Sequence, residues 1–393
     1  MSILIFNRSS SNLFKFKEWL GDAEGKLVML TQVDRPDLHT YDHAEFIESF
    51  DKNGWTEIRA VELHEQFGFK TILLRSEYDI IRAARLREYL DIQGQGVESA
   101  LAYRDKVLMK RLVREAGVKV ADFHPINSPL DLYRFALDHG FPLVVKPVYG
   151  GGSRGVTVLS DMSELKAFLT AGLEPGLMVE KFIRGSMYHV DGIARDGRVL
   201  FSCVSRYLYG CLAYKSYESV GSIIVDPHGP VAQRLKMTVA DIICALPGAH
   251  VLAFHAEFFY TEDGDILLCE IASRTGGGRI METVETAYGI SLPKVWVRLQ
   301  CDLPEPIEPR FQTSAGYLVV PPRAGRLAGL PESTPFPWVI DYNPTARQGQ
   351  SLNNPISVGD NIATALIKGN TEESVEARLV ELNEWFFASV RWD

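Results

Sequence analysis

Cysteine is scarce in this sequence and is not arranged in pairs. The 393 residues contain five cysteines and no C-x-x-C motif. In a chain of this length, scattered cysteines are expected to be buried free thiols in a reducing compartment, and they argue against a disulfide framework or a cysteine metal site. They are Cys203, Cys211, Cys244, Cys269 and Cys301.

Long apolar runs and basic tracts are also missing. No stretch approaches the ~18 apolar residues of a membrane span, and residues 1–6 lack the long apolar core and cleavage site of a secretion signal. The net charge is −9, with 41 basic against 50 acidic residues, so nothing suggests a nucleic-acid partner. We therefore expect a cytoplasmic globular protein that binds neither membrane nor nucleic acid.

The order of apolar patterns predicts three domains. Residues 3–6, 27–30 and 71–74 are short apolar runs typical of buried strands, and residues 80–90 have helical spacing. This alternation predicts an N-terminal parallel α/β domain over residues 1–104.

A second domain is predicted over residues 105–305. It opens with a helix over 105–115 that Gly117 ends, and from residue 141 the pattern becomes rich in strands. Its lid subdomain is expected at about 120–185. Short strands, glycine and proline turns and a helix over 372–387 then predict a C-terminal cap domain over 306–393. The expected fold class is α/β with an α+β core.

The most informative stretch is a glycine loop between two apolar runs. Gly150, Gly151, Gly152 and Gly155 fall within six residues, a composition that lets backbone N–H groups approach phosphates. Lys146 lies inside the preceding apolar run, where a buried lysine is costly unless it meets an anion. The pattern favours a flexible hairpin over a triphosphate, and the alternative is a plain glycine-rich turn.

Two shorter motifs match the same loop. Gly150-x-Gly152-x-x-Gly155 fits a dinucleotide-binding fingerprint, and Gly151-x-Ser153-x-Gly155 fits the nucleophile elbow of α/β-hydrolases. Both require a helix directly after the loop. Residues 156–159 instead have a strand pattern, so both interpretations are rejected.

Two acids lie in adjacent strand patterns. Glu257 and Glu270 stand among apolar residues on either side of the turn at 262–264, so they are expected at similar heights in a hairpin. Two carboxylates inside a sheet repel each other unless a cation lies between them, and hard oxygen ligands select Mg²⁺. The alternative is a pair of exposed acids on a solvated face.

An arginine follows the second acidic strand. Arg274 precedes Gly276, Gly277 and Gly278, and a guanidinium beside a glycine turn suits a carboxylate or a phosphate. A structural ion pair with Glu282 or Glu285 on the following helix is the alternative.

Taken in this order, the lysines, glycine loop, paired acids and arginine resemble the ATP-grasp superfamily. The likeness is nearest to carboxylate–amine ligases such as bacterial L-amino acid ligases, with D-alanine–D-alanine ligase and biotin carboxylase more distant. It implies an ATP-grasp fold between an N-terminal α/β domain and a C-terminal cap. It also implies ATP and Mg²⁺ as cofactors, and the activation of a carboxylate as an acyl phosphate that an amine attacks.

The resemblance also implies individual roles. Glu180 would accept a hydrogen bond from the adenine amino group, and the backbone of residues 181–183 would read the purine edge. Glu257 and Glu270 would be metal ligands, and Arg274 would hold the acyl phosphate or the substrate carboxylate. The implied ATP-binding set is Lys106, Lys146, Gly151, Gly152, Ser153, Glu180, Lys181, Phe182 and Ile183.

The sequence departs from the family pattern at two positions. Met187 stands where relatives often have a ribose-binding glutamate, so His189 or Asp191 is the candidate for the ribose contact. Ala272 stands where relatives usually have a metal-binding asparagine, so water or Ser273 would replace that contact.

The partners are expected to be small carboxylate and amine substrates, most simply amino acids, and the resemblance allows a homodimer. Tyr207, Tyr209, Tyr214 and Tyr217 are candidates for shaping the substrate site or for packing. One alternative is transfer to a carrier protein by the same ATP chemistry. Another, of a different class, is an ATP-binding regulatory protein without turnover.

Overall fold

A four-stranded parallel sheet forms the first part of the chain. The computed structural model describes residues 2–8 and 14–393. This part contains β1 (Ser2–Asn7), α1 (Phe16–Trp19), β2 (Leu27–Thr31), β3 (His43–Phe46), α2 (Trp55–Phe67), β4 (Phe69–Leu74), α3 (Ile80–Tyr89) and α4 (Val97–Ala102). The strand order is β3-β2-β1-β4, and all neighbours are parallel. The carboxyl ends of β1 and β4 therefore meet at one edge, where parallel sheets commonly bind ligands.

A small antiparallel sheet follows, and it carries the glycine loop. Its elements are α5 (Lys106–Glu115), β5 (Phe123–Ile126), α6 (Pro129–His139), β6 (Leu143–Pro147), β7 (Thr157–Leu159), α7 (Met162–Ala171) and β8 (Leu177–Lys181). The strand order is β5-β8-β6-β7, and β6 and β7 pair antiparallel on either side of the loop. The predicted hairpin is confirmed, and neither rejected motif has its helix directly after the loop.

The third sheet has eight strands and forms the floor beneath the site. The part of the chain that supplies most of its strands contains β9 (Ser186–Arg195), β10 (Arg198–Tyr207), β11 (Val220–Ile224), α8 (Pro230–Ala245), β12 (Val251–Tyr260), β13 (Ile266–Ala272), α9 (Ile280–Tyr288), α10 (Leu292–Gln300) and β14 (Ser314–Val320). The remaining elements are β15 (Gly325–Gly329), β16 (Val339–Pro344), β17 (Ser351–Leu352), β18 (Ala363–Gly369), α11 (Glu372–Ser389) and β19 (Arg391–Trp392). The strand order is β13-β12-β9-β10-β11-β14-β18-β16.

This large sheet crosses the predicted boundary near residue 306. β14 pairs with β11 on one side and with β18 on the other, so strands from the predicted cap continue the sheet of the central region. β15, β17 and β19 form a separate small sheet. Residues 306–393 are thus partly built into the floor of the site, and only the remainder stands outside it.

The first sheet packs on the large one through a shared apolar core. Residues of β1, β2 and β4 belong to the same buried cluster as α9 and α10, and Phe14 meets Trp296 edge to face at 6.4 Å. Arg298 of α10 adds hydrogen bonds of 2.7 and 2.9 Å to the carboxylate of Asp22. None of the helices in the described ranges combines the length and the apolar character that a bilayer span requires.

Candidate active site

Two adjoining cavities lie between the parallel sheet, the small sheet that carries the glycine loop and the eight-stranded sheet. The first encloses about 410 Å³ and the second about 450 Å³. Gly151, Ser153, Glu257 and Glu270 line both of them. The paired acids and the glycine loop therefore stand at the junction of two compartments, an arrangement that can bring two bound molecules together.

The first cavity gathers most of the residues that the sequence nominated for ATP. Apolar side chains, including Val144, Met187 and Phe259, form its far wall, so Met187 faces the cavity without offering an oxygen ligand. The nominated residues in its lining are Lys106, Lys146, Gly151, Ser153, Glu180, Lys181, Phe182, Ile183, Glu257 and Glu270. Gly152 lines the second cavity instead.

The glycine loop reaches across the junction and is held at its far side. Gly152 and Ser153 have φ of 62° and 56°, left-handed values that glycine adopts without strain. Tyr214 Oη donates to the Ser153 carbonyl at 2.9 Å, and Val358 N donates to the Gly152 carbonyl at 3.1 Å. The loop is therefore closed over the site by contacts with two distant segments.

Lys106 links the loop to one of the paired acids. Its Nζ lies 3.1 Å from Glu270 Oε2 and donates to the Gly150 carbonyl at 2.7 Å. Asp105 caps the helix that carries it by accepting from Val107 N and Leu108 N, and this fixes the start of α5. The lysine thus points its charge at the junction of the cavities.

Lys146 and Glu180 form a buried ion pair with a partner that sequence reasoning missed. Lys146 Nζ lies 3.0 Å from Glu180 Oε2, and Lys110 Nζ lies 3.1 Å from Oε1. Burial opposes the charge of Lys146, but Glu180 outweighs it and raises the pKa of the lysine. Burial likewise opposes ionisation of Glu180, but Lys110 and Lys146 lower the pKa of that carboxyl. Lys110 lies one helical turn after Lys106, and this spacing was the available signal.

Glu257 and Glu270 face each other across β12 and β13, as predicted. Their side chains are only 14% and 22% exposed, so the alternative of two acids on a solvated face is wrong. Burial opposes ionisation of Glu257, but hydrogen bonds from His255 and Tyr207 lower the pKa of Glu257 to about 2. Glu257 is therefore held anionic, and both side chains offer hard oxygen donors, which fits Mg²⁺.

Ser273 does not replace the metal-binding asparagine that relatives usually have at the position of Ala272. Ala272 and Ser273 are 4% and 1% exposed, and among the described residues neither contributes to the lining of the two cavities. The Ser273 hydroxyl is buried without a hydrogen-bond partner. The protein thus presents two carboxylates here, those of Glu257 and Glu270.

Arg274 lines the second cavity but is already engaged. Its Nε and Nη2 donate to Glu77 Oε2 at 3.0 and 2.7 Å, and its Nη1 donates to the Thr275 carbonyl at 2.9 Å. The alternative of a structural ion pair is correct in kind, but the partner is neither Glu282 nor Glu285. Glu77 also pairs with Arg104, and a β-carbon at Gly151 would lie 3.1 Å from its Oε2.

Glu77 is therefore a second functional residue that the sequence did not suggest. Burial opposes its ionisation, but Arg274, Arg104 and Lys106 lower the pKa of Glu77 to about 2. This acid comes from the carboxyl edge of the first sheet and fixes the guanidinium of Arg274 next to the glycine loop. The ion pair spans 197 positions of sequence, so no local pattern reveals it.

The predicted ribose contact of His189 or Asp191 is contradicted. Both side chains are buried inside the large sheet, at 1% and 0% exposure, and neither lines the two cavities. His189 Nδ1 and His255 Nδ1 donate to Asp191 at 2.6 and 2.9 Å. His189 and Asp191 lie on the same face of β9 as Met187, but Ser222 and His255 from other strands of the sheet cover them there.

Two of the four tyrosines between residues 207 and 217 form hydrogen bonds with residues of the site. Tyr207 Oη donates to Glu257 Oε1 at 2.7 Å, and Tyr214 holds the glycine loop. Tyr209 lines the first cavity, whereas Tyr217 is 43% exposed and lines neither cavity. Tyr207 and Tyr214 therefore position parts of the site through hydrogen bonds.

Comparison with known proteins agrees with this geometry. Residues 111–280 match the family model of the ATP-grasp domain. An L-arginine-specific L-amino acid ligase of Bacillus subtilis is 27% identical over 303 residues, which cover 74% of this chain and 72% of that protein. An alanine–anticapsin ligase of Bacillus subtilis (strain 168) is 23% identical over 277 residues, covering 62% of this chain and 58% of that protein.

A solved structure resembles the whole fold. The L-amino acid ligase from Bacillus licheniformis superposes with a TM-score of 0.82 at 20% identity, over 100% of this chain and 98% of that one. The lysines, the glycine loop and the paired acids all lie within or beside the matched domain. Residues 111–280 of this chain therefore match the ATP-grasp domain family, and the whole chain has the fold of an L-amino acid ligase.

Proposed function

We propose that this chain is an ATP-dependent carboxylate–amine ligase whose substrates are amino acids. It phosphorylates a carboxylate with ATP and joins the acyl group to an amine, releasing ADP and phosphate. The observation that carries the proposal is the junction of two cavities at Glu257, Glu270 and the glycine loop. Relatives named as amino acid ligases support the choice of reaction and substrate class.

The first cavity would hold ATP. Its apolar residues and the backbone of residues 181–183 would take the adenine, with Glu180 as an acceptor for the amino group. Lys106, Lys146 and the loop, whose backbone N–H groups and positive φ angles suit anions, would hold the phosphates. The loop contacts with Tyr214 and Val358 exclude water from the transferring phosphoryl group.

Glu257 and Glu270 would hold Mg²⁺ at the junction. When bound, the ion neutralises charge on the phosphate oxygens and helps to align the phosphoryl group. His255 and Tyr207 keep Glu257 ionised and oriented, and Lys106 orients Glu270 through an ion pair. The chain itself thus supplies fixed charges around the reacting phosphate and needs no covalent nucleophile.

Arg274 stands on the substrate side of the junction. Two of its five N–H donors serve Glu77 and one serves the Thr275 carbonyl, which leaves two for an acyl phosphate. The pair with Glu77 holds the guanidinium plane in place before substrate binds. Such preorganised donors stabilise the negative charge that develops as the amine attacks.

Trapping the activated acyl group tests the reaction. The protein is incubated with ATP, Mg²⁺ and each of the twenty L-amino acids, with hydroxylamine as the amine. We expect hydroxamate and one ADP per hydroxamate with at least one acid, and amide with amino acid pairs. Formation of AMP and pyrophosphate would overturn the acyl-phosphate route. Transfer only to a carrier-protein thiol would replace the free amine as acceptor, and absence of any ATP turnover would favour the regulatory alternative.

The nucleotide position predicts the effect of Lys146→Ala. Removing a buried charge-assisted contact should weaken ATP binding by about 10- to 100-fold. In the wild type, ATP should protect the exposed loop residue Arg154 from trypsin, and this protection should require higher ATP in the variant. Titration calorimetry and timed proteolysis measure the two effects. Lys166→Ala, on the exposed face of α7, is the control, and equal cleavage of the wild type with and without ATP would argue against loop closure.

A further inference from the structure

The second cavity has a wall that the proposed reaction does not yet use. It lies at the carboxyl edge of the first sheet, where Arg8, Arg75 and Glu77 face the glycine turn 276–278. Phe14, Ile280, Tyr317 and Val319 give it apolar surface. Glu257 and Glu270 belong to both cavities, whereas Arg75 lines only the second. Arg75 is therefore set apart from the nucleotide.

Among the described residues, Arg8 and Arg274 of this cavity form ion pairs, whereas Arg75 does not. Arg8 forms a bidentate ion pair with Asp79, with two hydrogen bonds of 2.7 Å, and Arg274 forms an ion pair with Glu77. Arg75 has a buried Nη1 with no hydrogen-bond partner, and in the described part of the chain its guanidinium is held only over the ring of Phe14, at 5.3 Å. Arginine remains protonated in proteins, so this is a fixed charge with an unused donor.

The acid that acts on Arg75 does not neutralise it. Burial lowers the pKa of Arg75, and the opposing attraction of Glu282 does not outweigh it. Glu282 forms its ion pair with Arg279 at 3.0 Å, and its other oxygen is buried without a hydrogen-bond partner. A buried charged donor that lacks an acceptor is costly. The site is consequently preorganised for an anion brought by a ligand.

A carboxylate is the anion that this wall fits. The planar guanidinium matches a carboxylate with two parallel hydrogen bonds, and stacking on Phe14 fixes its plane. The reacting carboxylate has to meet ATP at the junction beside Glu257 and Glu270. A carboxylate at Arg75 is then a second one, which stays intact during the reaction.

We propose that Arg75 binds a non-reacting carboxylate of one substrate, so that the product keeps a free carboxylate beside its new amide bond. The proposal rests on the ligase function above and narrows its substrates. The carboxylate has two sources: the α-carboxylate of an amino acid that acts as the amine, or the side chain of a dicarboxylic acid that acts as the acyl donor.

Matched substrate pairs distinguish these sources. In the first arm, glycine, L-alanine and L-arginine are compared as amines with glycinamide, L-alaninamide and L-argininamide. In the second arm, L-aspartate and L-glutamate are compared as acyl donors with L-asparagine and L-glutamine, with hydroxylamine as the amine. ADP release gives kcat and KM, and calorimetry measures binding of the same compounds without turnover.

We expect the wild type to prefer the carboxylate form in one arm by about 10- to 100-fold in kcat/KM, as befits one charge-assisted contact. In Arg75→Gln this ratio should fall to within about threefold, mainly through KM of the carboxylate form, with ATP affinity unchanged. Arg75→Lys keeps the charge but not the fork and should lose part of the preference. The control is Arg85→Gln, an exposed arginine of α3, which should behave as wild type.

The outcomes separate the two proposals. If the wild type forms amides but Arg75→Gln and Arg75→Lys keep the wild-type ratio in both arms, the role of Arg75 is overturned and the ligase function stands. If no pair gives ADP in the wild type, the ligase function fails. Binding then decides on Arg75: carboxylate-selective binding that Arg75→Gln abolishes supports the site, and equal binding of both forms overturns it.

Discussion

Glu270→Gln should reduce turnover on the order of 10³-fold at fixed Mg²⁺. Glutamine keeps the volume of the side chain and an oxygen for Lys106, whose Nζ lies 3.1 Å from the native carboxylate. It removes one of the two negative charges that Glu257 and Glu270 present across their strand pair. Steady-state ADP release over a magnesium titration measures the effect, and higher Mg²⁺ should restore part of the activity.

The fold of this variant should be intact. Urea unfolding is expected to match the wild type, because no buried volume changes and the neighbouring lysine keeps an acceptor. Glu262→Gln is the matched control, since Glu262 lies exposed in the turn of the same hairpin. Near-wild-type turnover of Glu270→Gln would remove the basis for a metal at this position.

Arg274→Lys should lose amide formation by about 10²- to 10³-fold, as for one lost donor to a developing oxyanion. Lysine carries the charge but cannot donate to Glu77 through two nitrogens and still face the substrate. ATP affinity should stay close to wild type, because Arg274 lines only the second cavity. Hydroxamate and amide formation, together with ATP titration, measure the difference.

The ion pair of Arg274 requires a control for stability. Arg298→Lys replaces another arginine that holds a carboxylate through two nitrogens, at a position outside both cavities. If both variants unfold at similar urea concentrations but only Arg274→Lys loses amide formation, the loss belongs to the reaction. Equal turnover losses in the two variants would reduce Arg274 to a structural residue.

Sequence reasoning succeeded where the relevant contacts are local. The glycine hairpin and the pairing of Glu257 with Glu270 each involve strands that are neighbours in the sequence, so apolar patterns and loop residues indicate their pairing. The helix α7 was missed although Asp161 caps it by accepting from Glu164 N. Only Leu165 of its ten residues is buried, so its apolar pattern is weak beside those of the flanking strands.

The sequence alone does not predict which residues surround the second cavity. Glu77, Arg75 and Arg8 reach it because the carboxyl edge of the first sheet faces the end of β13, and this depends on how separate sheets pack. His189 and Asp191 failed for a related reason, because they share a face of β9 with Met187 but are covered by Ser222 and His255 from other strands. Only three-dimensional packing shows which residues of that face remain open to the cavity. The predicted domain boundaries near 104 and 306 stay predictions.

The order of strands in the eight-stranded sheet also determines how late in synthesis this sheet can form. β11 lies between β10 and β14, and β14 arises some ninety positions later in the chain. Until β14 has left the ribosome, one side of β11 exposes unpaired N–H and C=O groups, which can pair with other chains. Because pairing across such a sequence separation is slow, a nascent chain that stalls before β14 should be prone to aggregate, although both acidic strands are already made.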